Sequence, residues 1–325
     1  YNAGVRRIIT DDATGLATGV DFIDRVTGKP EIARGARVVV CASPVESVRL
    51  LLNSASSRHP DGLGNGSGLL GRYFMDQLPC LAFGSFPGAK GWARDGSAPE
   101  DPFYNASGGI FIPRFDESEP ARGDFDYQGS VGRSPVGADE DAQLSFFGFG
   151  RMLPYADNRI TLDPRRKDAW GIPAPHIRCV MHEAEKALLK QQEETMVDMI
   201  RGVGGELEFI GSPPGLKEFG KGAFPQADPF SRMMFRLWFG KTMRMGAAIH
   251  ETGGARMGET PETSVLDPFN RLWDAPNVLV TDASAFPGSG VAGTTLTVMA
   301  LTIRACRNLG SASGSASSAA HAKNQ

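Results

Sequence analysis

The sequence predicts a mixed architecture, α/β plus α+β: a partial doubly wound domain with an antiparallel-sheet domain inserted into it. Two strand–turn–helix stretches far apart in the chain predict the doubly wound part. Ala36-Arg-Val-Val-Val-Cys41 is a compact β-branched run, broken by Ala42-Ser-Pro44 and followed by the helical run Val45–Leu52 with proline near its first turn. Val278-Leu-Val-Thr-Asp282 leads through a Gly- and Thr-rich turn into the apolar helical run Leu296–Ala305. Between these pieces lie strand-like runs and one long helical stretch. The 40 glycines and 22 prolines exclude a helical bundle.

Taken in order, Val5-Arg-Arg-Ile-Ile-Thr10 and Ala17–Arg25 read as short strands joined by the turn composition Asp11-Asp-Ala-Thr-Gly15. Residues 80–140 show no sustained period and read as loops and edge strands. Leu144–Leu153, Asn158–Asp163 and His176–Val180 read as strands. Glu183–Ile200 is charged and proline-free, with Leu188, Leu189, Met196 and Ile200 at helical spacing, and the glycines from Gly202 stop it. Residues 212–229 are expected to form a long loop, placed as a lid. The resulting division is 1–79 and 241–309 for the two pieces of the doubly wound domain, 80–240 for the inserted domain, and 310–325 for a disordered Ser/Ala/Gly-rich tail.

Composition excludes several functions. A net charge of −3 without a basic run argues against nucleic acid and anionic membranes as partners. No stretch has the length of a membrane span and the N-terminus is not a signal peptide, so a soluble protein is expected, with the cytoplasm favoured. The four cysteines and five histidines are scattered without metal-ligand spacing. The cysteines read as structural thiols, with Cys41 in a strand and Cys306 in a helix. Asn65-Gly-Ser and Asn105-Ala-Ser satisfy the glycosylation rule. Arg256 reads as an ion-pair partner, and Met233, Met234, Met243 and Met245 as core.

His250, in Ile-His250-Glu-Thr-Gly253-Gly254-Ala-Arg256-Met257-Gly258, precedes the Asp282 strand and the 296–305 helix. This block resembles the C-terminal signature of the glucose–methanol–choline (GMC) flavoenzymes. Arg37–Leu52 with Gly62–Asp76 is similar to the family's middle flavin-domain segment. Asn158–Asp163 with Lys167–Pro173 is similar to its substrate-domain sheet. The resemblance implies FAD as cofactor, His250 as catalytic base, and Ala42, Ser43, Asp282, Ala283, Thr294, Thr295 and Leu296 as cofactor contacts. Gly293 and Thr294 would lie on the substrate side. Elementary chemistry agrees: a histidine of ordinary pKa, about 6.5, suits removal of a hydroxyl proton. A helix start favours negative charge on a reduced flavin. Asp282 read alone serves equally well as a turn cap.

Two departures stand out. Where the family carries Asn or a second His before the last helix, this chain has Gly293, with Thr294 or Ser289 as the nearby hydroxyls; and Gln77 replaces a common His after Met75-Asp76. Second, no Gly-x-Gly-x-x-Gly turn follows a strand; Gly62-Leu-Gly-Asn-Gly66 has the glycines without that context. The expectation is therefore a chain that needs a phosphate-binding half supplied by a second polypeptide. The expected reaction is FAD-dependent oxidation of a C–OH group, a sugar or glycoside hydroxyl by resemblance. A lyase, isomerase or cyclase acting on a secondary metabolite, and a non-catalytic partner subunit, are the alternatives.

Overall fold

The computed structural model describes residues 2–92, 107–113, 124–132 and 135–321. The chain opens with an antiparallel sheet of β1 (Ala3–Thr10), β2 (Ala17–Asp24) and β3 (Pro30–Arg34). The Asp11 carboxylate closes the first turn by accepting from the Thr14 backbone N–H at 2.8 Å. The short β4 (Val38–Val40) pairs in parallel with β13 (Val278–Val280), Val38 against Val278 and Val40 against Val280. Helix α1 (Pro44–Asn53) follows β4, and its Val48 and Leu51 are fully buried. They join Val40, Ile160, Leu266, Val278 and Val280 in one core.

Between β4 and β13 the chain forms a six-stranded antiparallel sheet in the order β12 (Gly215–Glu218), β11 (Glu206–Ser212), β5 (Leu78–Phe86), β8 (Ala142–Gly150), β7 (Phe125–Gly132), β6 (Ser107–Ile112). Helix α2 (Glu183–Gly202) covers one face. Its Leu189, Met196 and Ile200 pack on Leu78, Cys80, Ala82, Phe125 and Tyr127, and the Tyr127 hydroxyl donates to the Gln192 carbonyl at 2.7 Å. Strand alternation then assigns Pro79, Leu81, Asp126, Phe147 and Phe149 to the opposite face. The hairpin of β9 (Arg159–Lys167) and β10 (Pro173–Arg178) lies beside α1, where the Arg49 guanidinium binds Asp168 at 2.7 Å.

Several expectations are corrected. β5 and β7 are interior strands rather than edges; Pro79, at the second position of β5, and the glycines hide the strand pattern. Residues 212–218 close the β11–β12 hairpin, which shortens the expected loop to residues 219–228, ahead of α3 (Pro229–Thr242), capped by the Asp228 carboxylate. Met233 is exposed on α3 instead of buried. Cys41 and Cys306 are also exposed, because β4 has only β13 beside it and one side of the last helix has nothing packed on it; Cys80 alone is buried. That helix, α4 (Thr295–His321), continues into the segment expected as a disordered tail. Asn65 is held by the Asp61 carbonyl and the Leu70 N–H, whereas Asn105 lies outside the described residues.

Asp126 is fully buried, neither carboxyl oxygen has a hydrogen-bond partner, and burial pushes its pKa up to about 7. Because the unfolded chain ionises this group near pH 4, its contribution falls as pH rises from about 4 to about 7. Asp126→Asn is therefore expected to raise Tm by a few degrees above pH 7, with the gain disappearing below about pH 4, as read by thermal melts across pH.

Backbone strain is localised where the signature crosses the fold. Gly253 has φ +78, and a Cβ there would collide with the Tyr73 carbonyl oxygen. Gly28 has a similar φ of +70 but open space around it. Gly28→Ala should cost about 1 kcal/mol, the conformational term alone, and Gly253→Ala about 3 kcal/mol or more, measured by denaturant unfolding.

Candidate functional site

Residues 75–77 and 250–252 run antiparallel, joined by reciprocal backbone hydrogen bonds between Met75 and Thr252 at 2.9 and 2.8 Å. Continuing that register places Gln77 opposite His250. The Gln77 side chain donates through Nε2 to the Gly290 and Ala292 carbonyls at 2.8 and 2.9 Å. Its Oε1 therefore faces the imidazole, 2.6 Å from His250 Nδ1. An amide oxygen only accepts, so Nδ1 carries the proton and Nε2 keeps the lone pair. A Cβ built on Gly293 would lie 3.8 Å from Nε2, so the position expected to hold the partner side chain does face the imidazole and leaves open space there.

The loop before His250 is tightly held. The fully buried Asp76 carboxylate accepts from Gly246 N at 2.7 Å and His250 N at 3.2 Å. Burial raises its pKa, and the backbone donors of Gln77, Gly246, His250 and Ala248 oppose the shift. Between them sits Ile249 with φ 60, a conformation costly for a β-branched side chain, and its side chain is 77% exposed. The Phe149 ring lies on the imidazole, centroids 4.9 Å apart. The site is thus bounded by the outer face of the inserted sheet.

Asp282 is a clasp. One carboxylate oxygen accepts from Ala42 N at 3.1 Å and from the Ser47 hydroxyl; the other accepts from Ser284 N at 2.9 Å and Ser284 Oγ at 2.6 Å. All of its capacity is spent on the chain's own donors, which lock the carboxyl ends of β4 and β13 together. Gly253 N, Ala255 N and Met257 N then donate to the carbonyls of Ala283, Ser284 and Ala285, tying the signature to that clasp. Among the described residues Arg256 has no ion-pair partner; its guanidinium lies 3.8 Å over the Tyr73 ring and donates to the Thr263 carbonyl.

The proposed cofactor contacts divide by exposure. Ala42, Ser43, Thr295 and Leu296 are exposed, Thr294 is half-buried and Ala283 is buried. Ser43 has φ 74, turning the chain sharply from the strand end into α1. The start of α4 is open, with its first intrahelical bond from Val298 N to the Thr294 carbonyl. Val39, Ile249, Leu296, Met299 and Ile303 are each at least half exposed. Free backbone donors beside exposed apolar side chains fit the ring end of a flavin. The glycines at 62 and 64 are packed against Leu52 and Leu272 and form no cradle for a pyrophosphate. Among the described residues no His, Cys, Asp or Glu cluster could hold a metal, and no helix is long and apolar enough to cross a membrane.

Residues 154–302 match the family model described as GMC oxidoreductase. The chain carries the C-terminal domain of the GMC oxidoreductases. It is 30% identical to 2-methyl-1,2-propanediol dehydrogenase of Mycolicibacterium austroafricanum, over 94% of this chain and 52% of that protein. It is 26% identical to the fructose dehydrogenase large subunit of Gluconobacter japonicus, over 90% of this chain and 50% of that protein. It is also 25% identical to C-glycoside 3-oxidase of Arthrobacter globiformis, over 94% and 51% of the two. The chain spans about half the length of the curated relatives it matches. Among solved structures, pyridoxine 4-oxidase from Mesorbium loti shares the fold with a TM-score of 0.58 at 15% identity, over 94% of this chain and 57% of that one. FAD is the cofactor of this family.

Sequence reasoning named His250 and Gly293 but did not place Gln77 in the site; the available signal was its position directly after Met75-Asp76. Gln77→Met is expected to cost about 3 kcal/mol, since it leaves three polar groups without their partner. Equilibrium denaturation of the two proteins measures it.

Proposed function

We propose that this chain forms the substrate side and part of the flavin side of an FAD-dependent enzyme that oxidises a C–OH group, a sugar or glycoside hydroxyl. The observation that carries this reading is the state of His250: Nδ1 is committed to Gln77, and Nε2 is left with a lone pair facing the open position 293 near the start of α4. A hydroxyl placed there gives its proton to Nε2. The Thr294 hydroxyl is the neighbouring group able to orient the substrate oxygen in place of the missing Asn or His. FAD, when bound, supplies the acceptor for the carbinol hydride. Backbone N–H groups at Thr295 and Leu296 face the charge that then builds up. The sugar preference is supported by relatives named for fructose and C-glycosides, although another is named for a diol.

The exposed apolar residues Val39, Leu296, Met299 and Ile303 support a further part of the reading. They are the surface on which a phosphate-binding half, from a second polypeptide or the same protein, would pack. The FAD-loaded assembly tests the chemistry. Anaerobic mixing with alcohols and sugars should bleach the flavin, and His250→Ala should slow bleaching by about 10²- to 10⁴-fold while the bound-flavin spectrum persists. Substrate turnover without bleaching or an acceptor would instead indicate lyase or isomerase chemistry. Unchanged bleaching in the His250 variant would remove this residue as the base.

A further inference from the structure

Strand alternation gives the six-stranded sheet two unlike faces. Leu144 and Phe146 of β8 and Ile112 of β6 turn toward α2 and pack on its core. Phe147 and Phe149 therefore point the other way, toward the site, and Phe149 lays its ring on His250. Register sets a row across this outer face. Phe147 stands between Leu81 of β5 and Gln128 of β7, and Phe111 of β6 lies opposite Gln128.

Cover over the face is uneven. Helix α3 seats the Phe239 ring over Gly211, the β11 residue opposite Leu81. Past Leu81, Phe147 is 45% exposed and Phe111 is 53% exposed. Phe111 sits on the edge strand β6, where exposure is ordinary. Phe147 sits on β8, with three strands on one side and two on the other, where an uncovered aromatic ring marks a binding surface. It follows Phe149 at two positions' distance on the same face, about 7 Å. A ring resting on Phe147 is thus one ring's step from a carbinol held at His250. Leu81, Phe147 and Phe111 offer flat or apolar surface, and the Gln128 amide offers a donor and an acceptor at its border.

We propose that Phe147 is the platform of an aglycone subsite, and that the substrate is an aryl glycoside. The sugar ring presents its reacting carbinol to His250, and the aromatic aglycone lies flat on Phe147 between Leu81 and Gln128. This rests on the proposed function. Continuity with the Phe149–His250 contact is what assigns the face to the substrate.

The FAD-loaded assembly is compared as wild type, Phe147→Leu and Phe147→Trp; leucine fills the strand position without a flat face, and tryptophan keeps one. Stopped-flow flavin reduction gives kcat/KM for phenyl and for methyl β-D-glucopyranoside. Saturation-transfer NMR reads contact of the phenyl protons with the protein without requiring turnover. The expected result is a phenyl-to-methyl ratio that falls about five- to tenfold in Phe147→Leu and is kept in Phe147→Trp. A ratio within twofold of wild type in Phe147→Leu, or no phenyl preference in wild type, overturns the proposal and leaves the oxidation reading standing. Loss of bound flavin from Phe147→Leu, or a wild-type dimer that this variant dissociates in sedimentation, assigns the face to a protein surface and also overturns it. If no alcohol or glycoside reduces the wild-type flavin, the oxidation reading falls and the NMR decides alone. Phenyl saturation lost only in Phe147→Leu then supports the platform, and saturation equal in all three proteins, or in none, ends it.

Discussion

The parallel pairing of β4 with β13 is the contact on which the rest depends, because it joins residues 240 positions apart, Val40 and Val280. Bringing such distant segments together costs loop-closure entropy before any contact repays it. Three residues per strand repay little of that. The Asp282 carboxylate adds four donors from Ala42, Ser47 and Ser284, and the valines of both strands enter the core with Val48 and Leu51. Once this clasp closes, the six-stranded sheet that lies between its ends in the chain has a fixed entry and exit.

The clasp also sets the site. Backbone bonds from Gly253, Ala255 and Met257 to residues 283–285 hold the signature segment against the strand end. The opposite edge of that segment pairs with Met75, which brings Asp76 and Gln77 to His250. The imidazole is therefore oriented by a neutral amide, itself fixed by two carbonyls of the 290–292 loop. A neutral partner selects the tautomer without adding charge stabilisation to the protonated ring.

Several features look costly for stability and sit together around this ring. Ile249 holds a left-handed backbone, Asp126 is buried without partners, and apolar side chains of α4 face outward. Strained or unsatisfied groups clustered at one site are the usual mark of binding or catalysis.

The sequence by itself determined the family resemblance and the coarse mixed α/β architecture, and it singled out His250 as the candidate base. Helical periodicity, β-branched runs and the order of His250, Asp282 and the 296–305 helix are local patterns, readable without knowing what lies next to what. It misread β5 as an edge strand, since Pro79 and the glycines conceal a strand whose burial comes from neighbours on both sides. It took Cys41 and Cys306 for buried thiols, since a strand or helix pattern does not reveal which face has a neighbour. Gln77 opposite His250, Asp282 spent on its own chain, and Asp126 beside Phe149 are matters of register across large sequence separations. Only the tertiary structure decides these, because a one-residue shift in pairing turns every side chain to the other face.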